Sequence, residues 1–327
     1  MPDRLVVLYR GNRPPATALI ERLADTVYAT EEELPYLLPG ADVLLAWVTI
    51  TPAIREAWPD NPDKAPRWVH AASAGVDSFL FPALVEDPGV ILTNARGVYD
   101  QPTAEYVLGL ILALAKDFPG TWEHQQRREW RPRPSDGITG RTALVWGTGP
   151  IGRAIARLLR AVGMKVCGAG RKARTVDPDF GTVHGPTTLP SALSEADYVV
   201  LAAPLTKDTR GMVDASALAA MKPGARLVNV GRGGLVDEEA LIDHLATGRL
   251  AGAALDVFGQ EPLPARSPLW DMPGVMVSPH TAGETTGERE ALVEVFLDNL
   301  TRHIEGRPLR NVVDKRRGYV VDETHPA

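Results

Sequence analysis

The stretch TALVWGTGPIGRAIARLLRAVG, Thr142 to Gly163, decides the fold. Its opening residues are a short β-prone apolar run, and its second half, PIGRAIARLLRAVG, reads as a helix. Between them lies Gly147-Thr148-Gly149-Pro150-Ile151-Gly152, a G-x-G-x-x-G turn placed where a strand gives way to a helix. Each glycine answers a physical need. Gly147 permits the tight turn, Gly149 lets the backbone approach a pyrophosphate, and Gly152 lets helix and strand pack closely, while the helix N-terminus offers N–H donors to an anion. A plain strand-to-helix turn without ligand is the alternative reading, and it is the surrounding order of strand, turn and helix that favours the dinucleotide.

Outward from this turn the same alternation repeats. Downstream, strands are expected near Lys165–Gly168, Tyr198–Ala202, Arg226–Val230, Gly252–Val257 and Val275–Ser278, which makes a doubly wound sheet. Upstream, Leu5–Tyr9, a helix from Pro14 to Ala24, Asp42–Trp47, a helix over Thr51–Trp58 with Pro52 at its first position, Trp68–Ala71 and Val90–Thr93 form another α/β unit. Trp68–Ala71 and Val90–Thr93 are apolar throughout rather than alternating, as strands of a parallel sheet covered on both faces should be. The chain is therefore α/β, with two doubly wound parallel sheets. Pro102–Lys116 reads as a helix apolar nearly all round, buried between two bodies or in a plain core. Asp117–Arg141, rich in proline, charge and aromatics, reads as a long surface excursion of the kind that grips a partner subunit. A last helix is expected over Thr285–Glu305, capped by its threonines and ended by Gly306 and Pro308, and the final twenty residues read as a loose tail.

Composition narrows the function. Lys and Arg number 35 against 41 acidic residues, so the net charge of −6 gives no footprint for nucleic acid or an anionic membrane. A lone cysteine, Cys167, excludes an internal disulfide framework and a clustered zinc site, so no metal is expected. The first apolar run is too short for a signal peptide and no stretch suits a bilayer span, so the expectation is a soluble, cytoplasmic protein.

A site selective for NAD places Asp or Glu about twenty residues beyond the first glycine, to accept hydrogen bonds from the ribose. Here the sequence is Val166-Cys167-Gly168-Ala169-Gly170-Arg171-Lys172, with two cations and no carboxylate. Arg171 and Lys172 can pair with a 2′-phosphate, which favours NADP(H) and leaves NAD(H) possible; stacking on adenine or simple solvation of Arg171 is the alternative.

Three further segments end strands of the second sheet. Asn229-Val230-Gly231-Arg232-Gly233-Gly234 sets a long cation among glycines, Leu255-Asp256-Val257-Phe258-Gly259-Gln260-Glu261-Pro262 carries two carboxylates, and Ser278-Pro279-His280-Thr281-Ala282-Gly283 carries an imidazole. A carboxylate clamp, a polarising cation and a proton donor are what reduction of a 2-oxo acid requires. In order and spacing these segments resemble the D-isomer-specific 2-hydroxyacid dehydrogenase family, and the resemblance extends over nearly the whole chain.

The resemblance implies a Rossmann-type nucleotide-binding domain (101–283) inserted in a flavodoxin-like substrate domain (1–100 and 284–327). It implies that His280 is the general acid/base, that Glu261 bonds its far nitrogen to favour the protonated ring and fix the tautomer, and that Arg232 binds the substrate carboxylate and carbonyl. Ala74, Gly75 and Val76 are expected to present backbone N–H groups to the carboxylate, with an ordinary helix start at Asp77 as the alternative. Cofactor contacts are expected from Thr103, from Gly147 through Gly152 (Gly147, Thr148, Gly149, Pro150, Ile151, Gly152), from Arg171 and Lys172, and from Pro204, Thr209, Val230, Asp256 and Gly283. Asp256 has a second reading, as a strand-end carboxylate that holds a neighbouring loop. The activity implied is hydride transfer between NAD(P)H and a small 2-oxo acid such as glyoxylate or hydroxypyruvate, in a homodimer. A nucleotide-sensing, corepressor-like binding protein is the alternative from another class.

Overall fold

Short runs of β-prone apolar residues become strands buried on both faces, and the segments between them become the helices that bury them. The computed structural model describes residues 2–321, and these divide into two units, one running to Tyr99 and resuming at Thr285, the other spanning Asp100–Glu284.

The first unit runs β1 (Arg4–Leu8), α1 (Thr17–Leu23), β2 (Asp25–Ala29), α2 (Leu34–Leu37), β3 (Val43–Ala46), α3 (Ala53–Glu56), β4 (Trp68–Ala71), α4 (Pro82–Glu86) and β5 (Ile91–Asn94). Its strands are all parallel in the order β2-β1-β3-β4-β5, the flavodoxin-like order. The second unit holds α5 (Asp100–Lys116), α6 (Phe118–Gln126), β6 (Thr142–Trp146), α7 (Pro150–Ala161), β7 (Lys165–Ala169), β8 (Arg174–Asp177), β9 (Gly181–His184), α8 (Leu189–Glu195), β10 (Tyr198–Leu201), α9 (Ala215–Ala220), β11 (Arg226–Asn229), α10 (Glu238–Ala246), β12 (Gly252–Leu255) and β13 (Val275–Val277). The chain then returns to the first unit with α11 (Glu288–Ile304), β14 (Val313–Asp314) and β15 (Tyr319–Val320). In the second sheet the order is β13-β12-β11-β10-β6-β7-β9-β8. Strand order reverses between β6 and β10, so the loops leaving the carboxyl ends of β6, β10, β11, β12 and β13 gather at the edge where doubly wound sheets bind ligands. Helix α5 packs along α7, with Ala104, Val107 and Ile111 in one buried cluster with Val145, Ile155 and Leu159.

The doubly wound sheets are parallel, with one antiparallel addition, β8 paired with β9 at the edge of the second. That hairpin is held by Asp177, whose buried carboxylate takes Nη1 and Nη2 of Arg153 at 3.0 Å each, Nε of Arg174 at 3.1 Å, and the N–H groups of Asp179 and Phe180. Burial pushes the Asp177 carboxyl up, but these bonds outweigh it and hold it below its ordinary value. The excursion after Lys116 begins with a helix, α6, whose N-cap carboxylate Asp117 accepts from Gly120 N–H. Helix α11 is not capped by a threonine: Gly287, in left-handed conformation, occupies that place. Residues 312–320 of the expected tail are ordered. Val312 bridges Thr93 on the edge of β5, and β14 and β15 form a small hairpin. Among the described residues no helix is long and apolar enough to cross a membrane, and no cluster of three or more His, Cys, Asp and Glu side chains is arranged to hold a metal ion.

On the face of the first sheet covered by α11, Trp68 stacks on Phe296 with ring centroids 5.6 Å apart, and His70 is sealed beside them. Thr93 Oγ1 accepts from Trp68 Nε1 at 2.8 Å and lies 2.8 Å from His70 Nδ1. Full burial pushes the His70 pKa down to about 3. An unfolded chain takes up a proton at this residue near pH 6.5, whereas the folded one does not, so the stability it preserves is full above that pH and falls as pH drops toward the folded value. The expected loss is about 2 kcal/mol between pH 7 and pH 5. His70→Gln should abolish that dependence in urea unfolding at the two pH values; an undiminished slope in the variant would rule out a neutral buried imidazole as its source.

Candidate active site

The turn leaving β6 has the geometry its glycines permit. Gly147 lies at φ +127°, and a Cβ there would fall 2.5 Å from the backbone of Ala202 and Ala203, just beyond β10. A Cβ on Gly152 would fall 1.9 Å from the carbonyl oxygen of Gly147, so α7 can leave β6 this closely only with glycine. Gly149, the N-cap of α7, is different: no atom lies within 4 Å of a Cβ built on it, and no side chain caps the helix. That open backbone at the start of a twelve-residue helix, followed by Pro150 and Ile151, is a cradle that fits a dinucleotide pyrophosphate. Thr148 packs over the end of β7, its Oγ1 lying 3.3 Å from where a Cβ of Gly170 would be.

Beyond β7, Arg171 and Lys172 are exposed. The first carboxylates that follow, Asp177 and Asp179, are bound to Arg153, so neither is available to a ribose.

The loops after β11, β12 and β13 are locked to one another. Asp256, 1% exposed, follows β12. Its Oδ1 accepts Ser278 Oγ–H at 2.6 Å and Thr281 N–H at 3.0 Å, its Oδ2 accepts Ala282 N–H at 2.9 Å, and its carbonyl accepts His280 N–H at 2.8 Å. His280 is thereby held at φ 57°, a left-handed conformation uncommon outside glycine. Its Nδ1 meets Glu261 Oε2 at 2.7 Å, while its Nε2 bonds to no described residue. Glu261 Oε1 accepts Phe258 N–H at 3.0 Å. Burial pushes the Glu261 carboxyl up, yet the hydrogen bonds from His280 and Phe258 and the charges of His280 and Arg232 bring it below its ordinary value. Arg232 opens a short 3-10 turn, Gly233–Leu235, after β11. Asn229, buried at the end of that strand, donates to Arg232 O at 3.0 Å and accepts from Gly231 N at 3.1 Å, and a Cβ on Gly233 would fall 1.8 Å from the Phe258 carbonyl carbon. Arginine loop and glutamate loop are thus pressed backbone to backbone.

In the first unit, the loop after β4 is braced in a matching way. Asn94 Nδ2 donates to Ala74 O at 2.7 Å, and Ser73 Oγ donates to Gly75 O at 2.6 Å. In a trans peptide the C=O and N–H point opposite ways, so the N–H groups of Gly75 and Val76, which bond to no described residue, are turned away from the two braces. Two such backbone donors in succession can approach one anion. A 3-10 turn at Asp77–Phe79 follows directly.

Of the other expected contacts, Thr103 is buried in the first turn of α5. Thr209 closes the loop after β10, its hydroxyl bonding Pro204 O at 2.7 Å and Thr206 N at 2.8 Å. Val230 continues β11, its N–H bonding Leu201 O, and Gly283 follows the Ala282 held by Asp256. Sequence alone assigns no role to Ser73, Asn94, Asn229 and Ser278, although Asn94 and Asn229 are polar residues that each close an apolar strand.

Residues 108–282 match the family model described as D-isomer specific 2-hydroxyacid dehydrogenase, NAD binding domain. A glycerate dehydrogenase of Methylorubrum extorquens is 32% identical over 295 residues, covering 87% of this chain and 89% of that one. A glyoxylate/hydroxypyruvate reductase B of Pectobacterium carotovorum is 36% identical over 249 residues, covering 74% and 77%. Among solved structures, the NADPH-dependent glyoxylate/hydroxypyruvate reductase of Sinorhizobium meliloti, in complex with NADP and sulfate, superposes with a TM-score of 0.82 at 29% identity over 97% of this chain and 100% of that one. A nucleotide-binding turn, an imidazole paired with a carboxylate, and likeness along most of the chain agree: this chain belongs to the D-isomer-specific 2-hydroxyacid dehydrogenase family, oxidoreductases that carry hydride between a nicotinamide dinucleotide and a 2-oxo acid.

Proposed function

We propose that the protein is a reductase of a small 2-oxo acid of the glyoxylate or hydroxypyruvate kind, that it prefers NADPH, and that His280, Glu261 and Arg232 carry the reaction. The observation that carries this reading is the 2.7 Å bond between Glu261 and His280 Nδ1, which leaves Nε2 open. Relatives named for glyoxylate, hydroxypyruvate and glycerate support the substrate class, and the sensor reading gives no account of an oriented acid.

When bound, the nicotinamide would supply the hydride. The Gly147–Gly152 turn would hold the pyrophosphate, with Thr103, Pro204, Thr209, Val230, Asp256 and Gly283 as the further residues proposed along the cofactor; Asp256 would act there through the loop whose three donors it binds. Gly75 and Val76 N–H, with Ala74, receive the substrate carboxylate, and Arg232 binds the carboxylate and polarises the C2 carbonyl. As hydride reaches C2, His280 gives its Nε2 proton to the oxygen and is left neutral, with the Nδ1 proton kept toward Glu261. One hydride and one proton convert the oxo acid to the 2-hydroxy acid. Because Glu261 is held below the ordinary carboxylate value of 4.5, it stays an acceptor for His280 across the neutral range and loses that role only as pH falls below it.

NADPH preference rests on Arg171 and Lys172 at the end of β7 and on the engagement of Asp177 and Asp179 with Arg153. The 117–141 arm, which exposes Phe118, Trp122 and Trp130, the last at 96%, is proposed to cover a second copy of the chain in a homodimer.

Purified enzyme assayed with glyoxylate, hydroxypyruvate, pyruvate and 2-oxobutyrate is expected to oxidise NADPH faster than NADH with at least one acid; cofactor binding without turnover on any would overturn the reductase reading. In the same assay His280→Ala should lose about 10²- to 10⁴-fold in rate and Glu261→Gln at least about tenfold, with NADPH binding retained in both. Arg171→Ala should raise the KM for NADPH about 10- to 100-fold and leave that for NADH within about threefold; equal changes would dispose of the 2′-phosphate contact. Trp122→Glu with Trp130→Glu should halve the mass seen by analytical ultracentrifugation, and a mass unchanged from wild type would exclude the arm as the dimer contact.

A further inference from the structure

We propose that Asn311, in the C-terminal strap, is a positioning residue for the substrate carboxylate: it fixes Asn94, which in turn aims the N–H groups of Gly75 and Val76. The proposal rests on the reading above that this loop receives the carboxylate.

Asn94 ends β5, an edge strand whose outer side has no full strand against it. A residue at the end of an edge strand has backbone groups that the sheet does not answer. Here one residue, 217 positions away, answers both. The carbonyl of Asn311 accepts Asn94 N–H at 3.3 Å, and its side-chain Nδ2 donates to Asn94 O at 3.3 Å and to Arg96 O at 3.0 Å. Asn311 therefore grips the chain on both sides of Ala95, which itself bonds Ser73 O at 2.9 Å. The long bonds are individually weak, but they act together on the one backbone position from which the Asn94 amide reaches Ala74 O.

The strap has the rigidity this role needs. Just before it, the fully buried Asn299 of α11 bonds both the N–H and the carbonyl of Arg310, at 2.8 and 3.0 Å. Just after it, Val312 bridges Thr93 and Val313 is buried. Further on, the Lys315 ammonium donates to the carbonyls of Leu84 at 3.0 Å, Val90 at 2.7 Å and Asp87, closing the end of α4. Asn311 itself lies at φ 56°, a conformation that asparagine and glycine adopt far more readily than other residues. A carboxylate-binding loop whose donors are backbone N–H groups has no side chain to adjust, so an error in its frame passes undiminished to the ligand.

The test separates positioning from general stability. Asn311→Gly keeps the left-handed backbone and removes only the amide. It is expected to raise the KM for glyoxylate about tenfold, with kcat within about threefold and the Kd for NADPH unchanged. Lys315→Ala removes three bonds from the same strap without touching Asn94, and should lower Tm while leaving KM in place. Asn94→Ala reports on the carboxylate reading and should raise KM at least as far as Asn311→Gly. An unchanged KM in Asn94→Ala overturns the carboxylate reading and this proposal with it. A raised KM in Asn94→Ala beside an unchanged one in Asn311→Gly, or an equal rise in Lys315→Ala, overturns this proposal alone. Should Asn311→Gly prove insoluble, Asn311→Asp tolerates the same backbone, turns an oxygen toward two carbonyls, and is read by the same outcomes.

Discussion

The carboxylate of Asp256 is the constraint on which the reactive arrangement depends. Buried almost completely, it has lost the solvation that an exposed acid enjoys and must recover it from protein donors. All three that it finds come from one loop, Ser278, Thr281 and Ala282, and its own carbonyl takes the N–H of His280 between them. Removing one partner of such a set leaves the others unpaired at a cost of about 1–3 kcal/mol each. That is enough to hold a non-glycine residue at positive φ, a strain of about 1–3 kcal/mol. The imidazole is aimed by backbone, and Glu261 meets its Nδ1 at 2.7 Å.

The same device recurs at three strand ends. Asn94 closes β5, Asn229 closes β11 and Asp256 follows β12, each a buried polar residue at the end of an apolar run. A strand needs no side chain for its own ladder, so a polar one at its end is free to organise the loop beyond. Asn94 sets Ala74, Asn229 sets the turn of Arg232, and Asp256 sets His280. Two of them are joined directly, Asp256 N–H bonding Asn229 O at 3.0 Å, and all three replace flexible loop ends with fixed ones, which matters because a misplaced reacting group loses rate steeply with distance.

Much of this was legible in the sequence, for physical reasons that differ from element to element. Trp68–Ala71 was readable because four apolar β-prone residues between breakers have little choice but a buried strand. The Gly147–Gly152 turn was readable because its glycines are required by close contacts that are the same wherever a helix leaves a strand this way. The β8–β9 hairpin was not, because its strands are short and polar and it is held by Arg153, which lies 24 residues from Asp177. Nor was the order in residues 312–320: two-residue strands carry no periodicity, and what fixes them is Lys315 on the carbonyls of Leu84 and Val90, more than 200 positions away. Asn94 stood in plain view at a strand end, yet its role depends on a carbonyl that only the fold brings within reach. Polar closure of an apolar strand is the signal that finds it.

Sheet order also sets the proposed cofactor cations apart from the proposed acid pair. From β7, whose end carries Arg171 and Lys172, to β11, whose end carries Arg232, the sheet passes through β6 and β10. Three strand spacings of about 4.8 Å set these ends roughly 14 Å apart, with the helix start of α7 between them. Charges at such a distance on a solvated edge exceed a Debye length at physiological ionic strength and interact weakly. Arg171 and Lys172, the cations proposed above to meet the dinucleotide, therefore act little on Glu261 and His280, which are tied to each other and to the end of β12 by bonds under 3.1 Å. The proposed cofactor contacts and the proposed acid pair thus lie on opposite sides of the glycine turn, each open to change without the other, and it is in the turn itself, where Gly147 and Gly152 have no room for a Cβ, that variation is closed off.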